Sequence, residues 1–375
     1  WLQDAPLDDA ARQWLDTTPS DDNPAYAYLL GFGAPADQSP ARQGQALAQR
    51  QKSHPDLPLP NSYRDLNASP LLCRNMDASC LLQQQEKRVA AEALVNRYQF
   101  LIDRYQTFLD FAYFSDNTPP RLDATFPEYS LLITASRLQS LAWALSDAPE
   151  KNIDREIQQL RHWLAQDHSL ISKMIANAML AEKLQLTALL VQQGKMPTLR
   201  LAPLTTAEKS FQAPLQKEFA MMAHFFIDEQ YRDGNEAASW IEEIQFRAGL
   251  KKHISVNRML PLYQHYAQLA EQPVDAIEAD QFHPDPASMS EAIRNPIGNV
   301  LLETASPDFK QYLLRLVHLD ARMALLKQLD KTETDNPVNN PWTPGKEDTL
   351  TRRDKQLCFR HAPDHDRYNS CLPLL

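Results

Sequence analysis

CRNMDASCLLQQQEKRVAAEALVNRYQFLIDRYQTFLDFAYF, residues 73–114, decides the fold. A close cysteine pair, Cys73 and Cys80, opens it, and from Leu81 to Phe114 there is neither glycine nor proline. Ala90, Leu94, Tyr98, Leu101, Tyr105, Phe108 and Ala112 recur at steps of four and three. Asn96, Gln99, Asp103, Gln106 and Asp110 take the opposite face. That pattern predicts a helix with one buried stripe and one wet face. At 1.5 Å per residue it reaches ~50 Å, with room for one break.

The rest of the chain repeats the theme. Of 375 residues only 8 are glycine and 27 are proline. A mixed α/β enzyme of this length would carry about three times as many glycines at the average usage of about 7%. Sheets and phosphate loops need glycine for positive φ and close approach, whereas prolines fit between helices or in a first turn. The expected fold is all-α: a large irregular bundle or stack of about eight to ten helices. No internal repeat of fixed period occurs, so a regular solenoid is not expected.

Around the opening stretch, short helices are expected at 7–15, from Pro24 with Asp21 or Asp22 as cap, and from Ser39-Pro40 to Lys52. Residues 53–70 form a proline-rich linker. Further helices are expected at 127–148, 154–166 and, from Asp167 or Ser169, to Gln193. The last of these has apolar residues on several sides, which marks a central helix, and Gly194 is its stop. A short strand is expected at 199–201. Thr205 and Glu208 make a capping box that starts a helical region, interrupted at Pro214, to about Tyr231. Asp233-Gly234-Asn235 reads as a turn, 237–250 and 257–270 as helices, and 273–299 as a second irregular segment. Ser306, Pro307 and Asp308 supply a cap, an N1 proline and a first-turn acid for a last helix with Phe309, Tyr312, Leu316, Leu319, Met323 and Leu326 on one face. Three parts follow: an N-terminal arm (1–70), a main helical domain (71–330), and an extended tail (331–375) with one short strand at 357–359.

The four cysteines, Cys73, Cys80, Cys358 and Cys371, fall in two close pairs. An even count in local pairs suits disulfides and an oxidising compartment, although four cysteines allow three connectivities. A Cys358–Cys371 bond would fasten the tail. The spacings are not those of a zinc site. The formal net charge of −10, with no basic run beyond two residues, argues against nucleic acid as a partner. No uninterrupted run of 18 apolar residues occurs. The chain starts at Trp1, which leaves room for a removed leader or a membrane anchor upstream.

Motifs for chemistry are sparse. There is no G-x-S-x-G, no P-loop and no G-x-G-x-x-G; Gly31-Phe32-Gly33 stands alone. No catalytic residue, cofactor or metal is therefore expected. The nearest approaches to a metal site are His224 and Asp228, four apart with Glu229 beside them, and the tail cluster His361, Asp364, His365 and Asp366. Glu242 and Glu243 point about 100° apart on a helix and form no acid–base pair. Aromatic clusters at Phe108, Phe111, Tyr113 and Phe114, and at Phe219, Phe225, Phe226 and Tyr231, read as core or as a groove for a partner helix or an apolar ligand.

Asn23-Pro24-Ala25-Tyr26 through Leu30-Gly31-Phe32, the Cys73/Cys80 pair before a long helix, Asn295-Pro296-Ile297-Gly298-Asn299 and the Asn340-Pro341-Trp342 turn together give the chain a resemblance. It is similar to a family of uncharacterised proteobacterial proteins with an N-terminal membrane anchor and a helical extracytoplasmic body. The resemblance implies compartment and topology and brings no activity. The expectation is a non-enzymatic, periplasmic protein that binds a protein partner in the cell envelope. The alternatives are an envelope enzyme with an interhelical acid or histidine site, and an apolar-ligand binder.

Overall fold

The structure, a computed structural model, describes residues 3–17, 23–54, 56–59, 63–228, 249–305, 307–329, 337–363 and 370–375. It is all-α, with helix in 59% of the chain and strand in 4%. The helices are more numerous and shorter than expected.

The opening stretch is bent twice, into α4 (Ala78–Glu86), α5 (Arg88–Arg97) and α6 (Gln99–Leu109). The backbone turns at Lys87 (ψ 33°) and Tyr98 (ψ 22°). Neither glycine nor proline causes the bends. All three pieces pack on one helix, α7 (Tyr129–Leu145), and the chain bends to follow it. The wet face is as expected, with Asn96, Gln99, Asp103, Gln106 and Asp110 exposed. So is the α6 stripe of Leu101, Tyr105 and Phe108. Upstream the stripe shifts: Ala91 is buried and Ala90 exposed. The helix ends at Leu109, not Phe114. Asp77 caps α4 by accepting from the Cys80 N–H (2.9 Å), and the Cys73–Cys80 disulfide closes the same turn.

Around this spine, α1 (Asp9–Leu15), α2 (Pro24–Leu30) and α3 (Pro40–Gln51) form the N-terminal part. The cap of α2 is Asn23, which accepts from the Tyr26 N–H at 3.0 Å; Asp21 and Asp22 lie outside the described residues. Helices α2 and α3 meet at Gly44, where a Cβ would stand 1.5 Å from the Ala27 carbonyl oxygen, so only glycine permits the contact. Buried Arg104 of α6 fastens the chain after α2 by donating to the carbonyls of Phe32, Ala34, Pro35 and Gln38.

Helices α8 (Glu150–Gln166) and α9 (Leu170–Gln192) pack against each other, and α9 also contacts α7. By length and composition α9 could cross a membrane, yet two-thirds of its apolar window is buried by protein. It is apolar all round because it is covered nearly all round; Ile171, at 41% exposure, and Ala178 are its exposed apolar positions. Gly194 (φ +70°) stops it. The Gly194 N–H bonds the Val191 carbonyl and the Lys195 N–H bonds that of Leu190, a Schellman closure.

The capping box forms, but it heads only a single turn, α10 (Thr206–Lys209); α11 (Gln212–Ile227) takes Pro214 in its first turn. Residues 199–201 are not a strand. The expected turn at 233–235 and most of the 237–250 helix lie outside the described residues. Pro261 stands well inside α12 (Lys252–Leu269), on an exposed face where the unpaired carbonyl can meet water. The segment 273–299, expected to be irregular, holds α13 (Val274–Ala279), α14 (Met289–Arg294) and the start of α15 (Pro296–Ala305). The last helix, α16 (Lys310–Leu326), begins after Pro307 and Asp308, with Phe309 at the cap position; Ser306 is outside the described residues.

The tail is more than one strand. β1 (Val338–Asn339) pairs with β2 (Glu347–Asp348), while β3 (Leu350–Arg353), β4 (Gln356–Phe359) and β5 (Leu372–Pro373) form an antiparallel sheet. The β3–β4 hairpin turns at Asp354 and Lys355, both at positive φ (48° and 59°). The turn rule looks for Asn-Gly or Asp-Gly, so Asp-Lys hid the hairpin. Leu357 pairs with Leu372, which brings Cys358 beside Cys371, and they form the second disulfide (Cα–Cα 4.5 Å). The sheet docks on α9 and α16, and Gln192 bonds the Pro373 carbonyl and the Leu375 N–H. Replacing Cys358 and Cys371 by alanine is expected to cost roughly 3 kcal/mol of stability, the chain-entropy value for a loop of this size. Urea unfolding of the variant beside the oxidised and reduced parent measures it.

Both close cysteine pairs are thus bonded locally, and no free cysteine remains. Two disulfides suggest an oxidising, extracytoplasmic compartment.

Candidate functional site

Most of the residues singled out in the sequence do not converge. His224 and Asp228 form a half-exposed pair at the end of α11 (3.3 Å), and Glu229 lies outside the described residues. Among the described residues no group of three His, Cys, Asp or Glu could hold a metal. His361 is held by Asp348, whose Oδ1 faces the imidazole Nδ1 at 2.7 Å and whose Oδ2 accepts the His361 N–H. Asp364, His365 and Asp366 lie outside the described residues, as do Glu242, Glu243 and Tyr231. Of the second aromatic cluster, Phe219 and Phe226 are core; Phe219 meets Trp14 and Tyr263 edge-on.

The first aromatic cluster does make a site. Phe108, Leu109, Phe111 and Phe114, from the end of α6 and the chain after it, line with Trp163 of α8 a groove of about 390 Å³. Phe108, Phe114 and Trp163 form an edge-to-face triad with centroids 5.1 to 5.4 Å apart. Arg155, Gln159, His162 and Gln166 recur along α8 at steps of four, three and four and form a polar rail beside this floor. Arg155 and Gln159 both hold Asp110, and His162 and Gln166 both reach the Ala112 carbonyl. The rail therefore stands on the chain segment that lines the groove.

The same two segments border a second, polar cavity of about 360 Å³. Tyr113, Ser115, Asp116, Asn117 and Thr118 line it from the segment after α6, and His168 from the α8–α9 joint. Ala213, Gln216 and Lys217 line it from the first turns of α11. Asp116 has its side chain fully enclosed. It accepts from the Thr118 N–H (2.8 Å) and the Tyr129 hydroxyl (2.9 Å), and Lys217 pairs with it at 3.4 Å and donates to its backbone carbonyl. Burial alone would raise this carboxyl; Lys217 and the hydrogen bonds outweigh burial and hold it below the usual range.

Between groove and cavity sits Asp167, buried at the joint. It accepts from the Trp163 indole N–H (2.9 Å) and the Ser169 N–H (3.0 Å). Burial pushes it up to about 7 against the bonds from Ser172 and Trp163, with the negative charge of Asp116 adding to the rise. Burial and then Lys217 push His168 down, so its ring is neutral near pH 7.

Three further sets of buried charges are structural ties. Arg161 grips Glu208 with two bonds (2.6 and 2.9 Å), and Lys173 donates to the carbonyls of Leu164 and Glu208. Lys183 meets Glu156 at 3.0 Å. None of these pairs lines the groove or the polar cavity.

Sequence reasoning named the aromatic cluster but missed Asp116, Asp167, His168 and Lys217. Each is a single polar residue in a loop or on a helix, and only the fold brings them together. No protein-family model, curated protein or solved structure matches this chain.

Proposed function

We propose that this is a non-enzymatic, periplasmic protein that binds a protein partner in the cell envelope through the groove between α6 and α8. The observation that carries the reading is the groove itself, where half-buried Phe111 stands over the buried triad of Phe108, Phe114 and Trp163 beside a rail of long polar side chains. That is the form of a site which buries an apolar anchor and holds the chain around it by hydrogen bonds. The two disulfides support the compartment. Attachment to the inner membrane by a segment outside this sequence rests on the family resemblance.

The state of the buried carboxylates favours binding over catalysis. Asp116, Glu156 and Glu208 are each committed to a cation and to further hydrogen bonds. General acid–base work needs a carboxyl or imidazole that can reach a substrate proton. Asp116, which borders the polar cavity, is enclosed and paired with Lys217.

A photoreactive phenylalanine analogue placed at Gln158, on the groove rim, tests this in cells that export the protein. The expected result is a discrete protein adduct that disappears with Phe111→Ser. The same analogue at exposed Glu92 on α5 should give none. Equal labelling from both positions, or turnover of envelope substrates by the purified protein, refutes the reading.

A further inference from the structure

The rail of the groove also bears on the form of the partner, an inference that rests on the partner-binding reading above. His162 and Gln166 stand four apart on α8, and both line the groove. Each spends one nitrogen on the same backbone atom. The Ala112 carbonyl oxygen faces His162 Nε2 at 2.9 Å and accepts from Gln166 Nε2 at 3.4 Å. A carbonyl only accepts, so the facing ring nitrogen carries the hydrogen, and Nδ1 is the acceptor of the uncharged ring. The same carbonyl fixes which end of the Gln166 amide is nitrogen and leaves Oε1 as its acceptor. That Oε1 is enclosed and receives no hydrogen bond from the described residues. An enclosed acceptor without a donor is costly, and an incoming N–H group relieves the cost.

Two acceptors four residues apart on a helix are ~6 Å apart along its axis. An extended chain turns its N–H groups to one side at every second residue, ~6.6 Å apart, so the two periods nearly match. A partner helix has no such row to offer, because its N–H groups are spent on its own carbonyls. With its N–H row turned to α8, an extended chain points alternate side chains into the groove, where half-buried Phe111 lies. The lining contains no acid, and its one fixed charge, Arg155, is held by Asp110 at 2.6 Å. Nothing in it selects a charged side chain.

We infer that the groove takes an extended segment of its partner, with an apolar side chain set against Phe111 and two backbone N–H groups, two residues apart, donated to His162 Nδ1 and Gln166 Oε1. The backbone supplies the hydrogen bonds and the anchor supplies the preference, so the groove reads the chain's form and one side chain of its sequence.

The probes are capped alanine pentapeptides with phenylalanine, leucine or glycine at the centre. They are titrated at pH 8 against the intact protein carrying nitrogen-15 in its glutamine side chains. The phenylalanine or the leucine peptide should saturate, shift the Gln166 amide signal, and bind at least tenfold more tightly than the glycine peptide. Methylating its backbone nitrogens one at a time should weaken binding roughly 3- to 10-fold at two positions two residues apart, and less than about twofold at the position between them. Gln166→Met should cost the same factor with the unmethylated peptide and nothing further with the peptide methylated at the nitrogen that Gln166 serves. A phenylalanine peptide locked into a helical turn by a side-chain bridge should not compete. Methylation felt nowhere or equally at every position, competition by the helical peptide, or no saturation by any peptide overturns the inference. The partner-binding reading fails separately, on loss of the Gln158 adduct; a discrete adduct with no peptide bound defeats the extended segment alone.

Discussion

Lys183→Met should destabilise the protein by about 3–5 kcal/mol, the cost of leaving one member of a buried ion pair without its partner. Lys183 sits on α9 at 1% exposure, with its ammonium 3.0 Å from Glu156 of α8. It also donates to the Ser136 carbonyl (2.8 Å) and the Ser140 hydroxyl (2.5 Å) of α7, and lies 4.9 Å from the centre of the Trp143 ring. The Tyr105 hydroxyl of α6 donates to Glu156 at 2.5 Å. One charge pair therefore joins four helices where they meet. Methionine fills a similar volume but leaves Glu156 charged in a site with no countercharge.

The direction of the two pKa shifts says what kind of tie this is. Burial pushes Glu156 up despite Lys183, and pushes Lys183 down despite Glu156. For both groups burial wins. Glu156 thus costs stability above its unfolded pKa near 4.3, and Lys183 below its own near 10.4. Across neutral pH the pair fixes how the helices meet and does not add stability over apolar residues of the same shape. Lys183→Met/Glu156→Gln, which keeps an acceptor for Tyr105, should accordingly recover most of the loss. The penalty of the single variant should also shrink as pH falls and Glu156 takes up a proton. Urea unfolding of parent, single and double variants at pH 5 and 8 reads both effects. A double variant no better than the single one would show that Lys183 matters for its contacts with α7 alone.

Such ties explain where the sequence was legible and where it was not. Features governed by near neighbours could be read: the Gly194 stop, the Thr205–Glu208 capping box, the wet face of α5 and α6, the local cysteine pairs. Features governed by distant partners could not. The bends at Lys87 and Tyr98 come from α7, which three successive helices follow. Lys173 and Lys183 look like a wet face in a helix that has almost none; the apolar residues around them on every side were the available signal. The segment 273–299 forms helices too short for a period to show. At the groove, the cluster of aromatic residues was visible, but whether it would be core or open surface depended on α8. At the polar cavity, Asp116, His168 and Lys217 carry no spacing that connects them.

Asp167→Asn should shift the pH dependence of stability by up to about 4 kcal/mol, set by the rise of this carboxyl from an unfolded value near 3.9 to about 7 in the fold. The folded-state pKa is raised, so the group contributes nothing below pH 4, where both states are protonated. From pH 4 to 7 the unfolded chain releases a proton that the native protein keeps, and the parent loses stability with each unit. Above pH 7 the loss is complete. Asparagine cannot ionise, so its stability relative to the parent should improve steadily between pH 4 and 7 and then level off. It still accepts from the Ser169 N–H but presents a donor toward the Trp163 indole, which adds a penalty that does not vary with pH. The slope of the difference, not its absolute value, is thus the measurement, taken by denaturant unfolding at half-unit steps from pH 4.5 to 8. A flat difference would mean that Asp167 holds one protonation state throughout. A rising one would place a titrating group between Trp163 on the groove floor and His168 at the polar cavity. Ionisation there would put a second negative charge beside Asp116, inside the wall that borders both spaces.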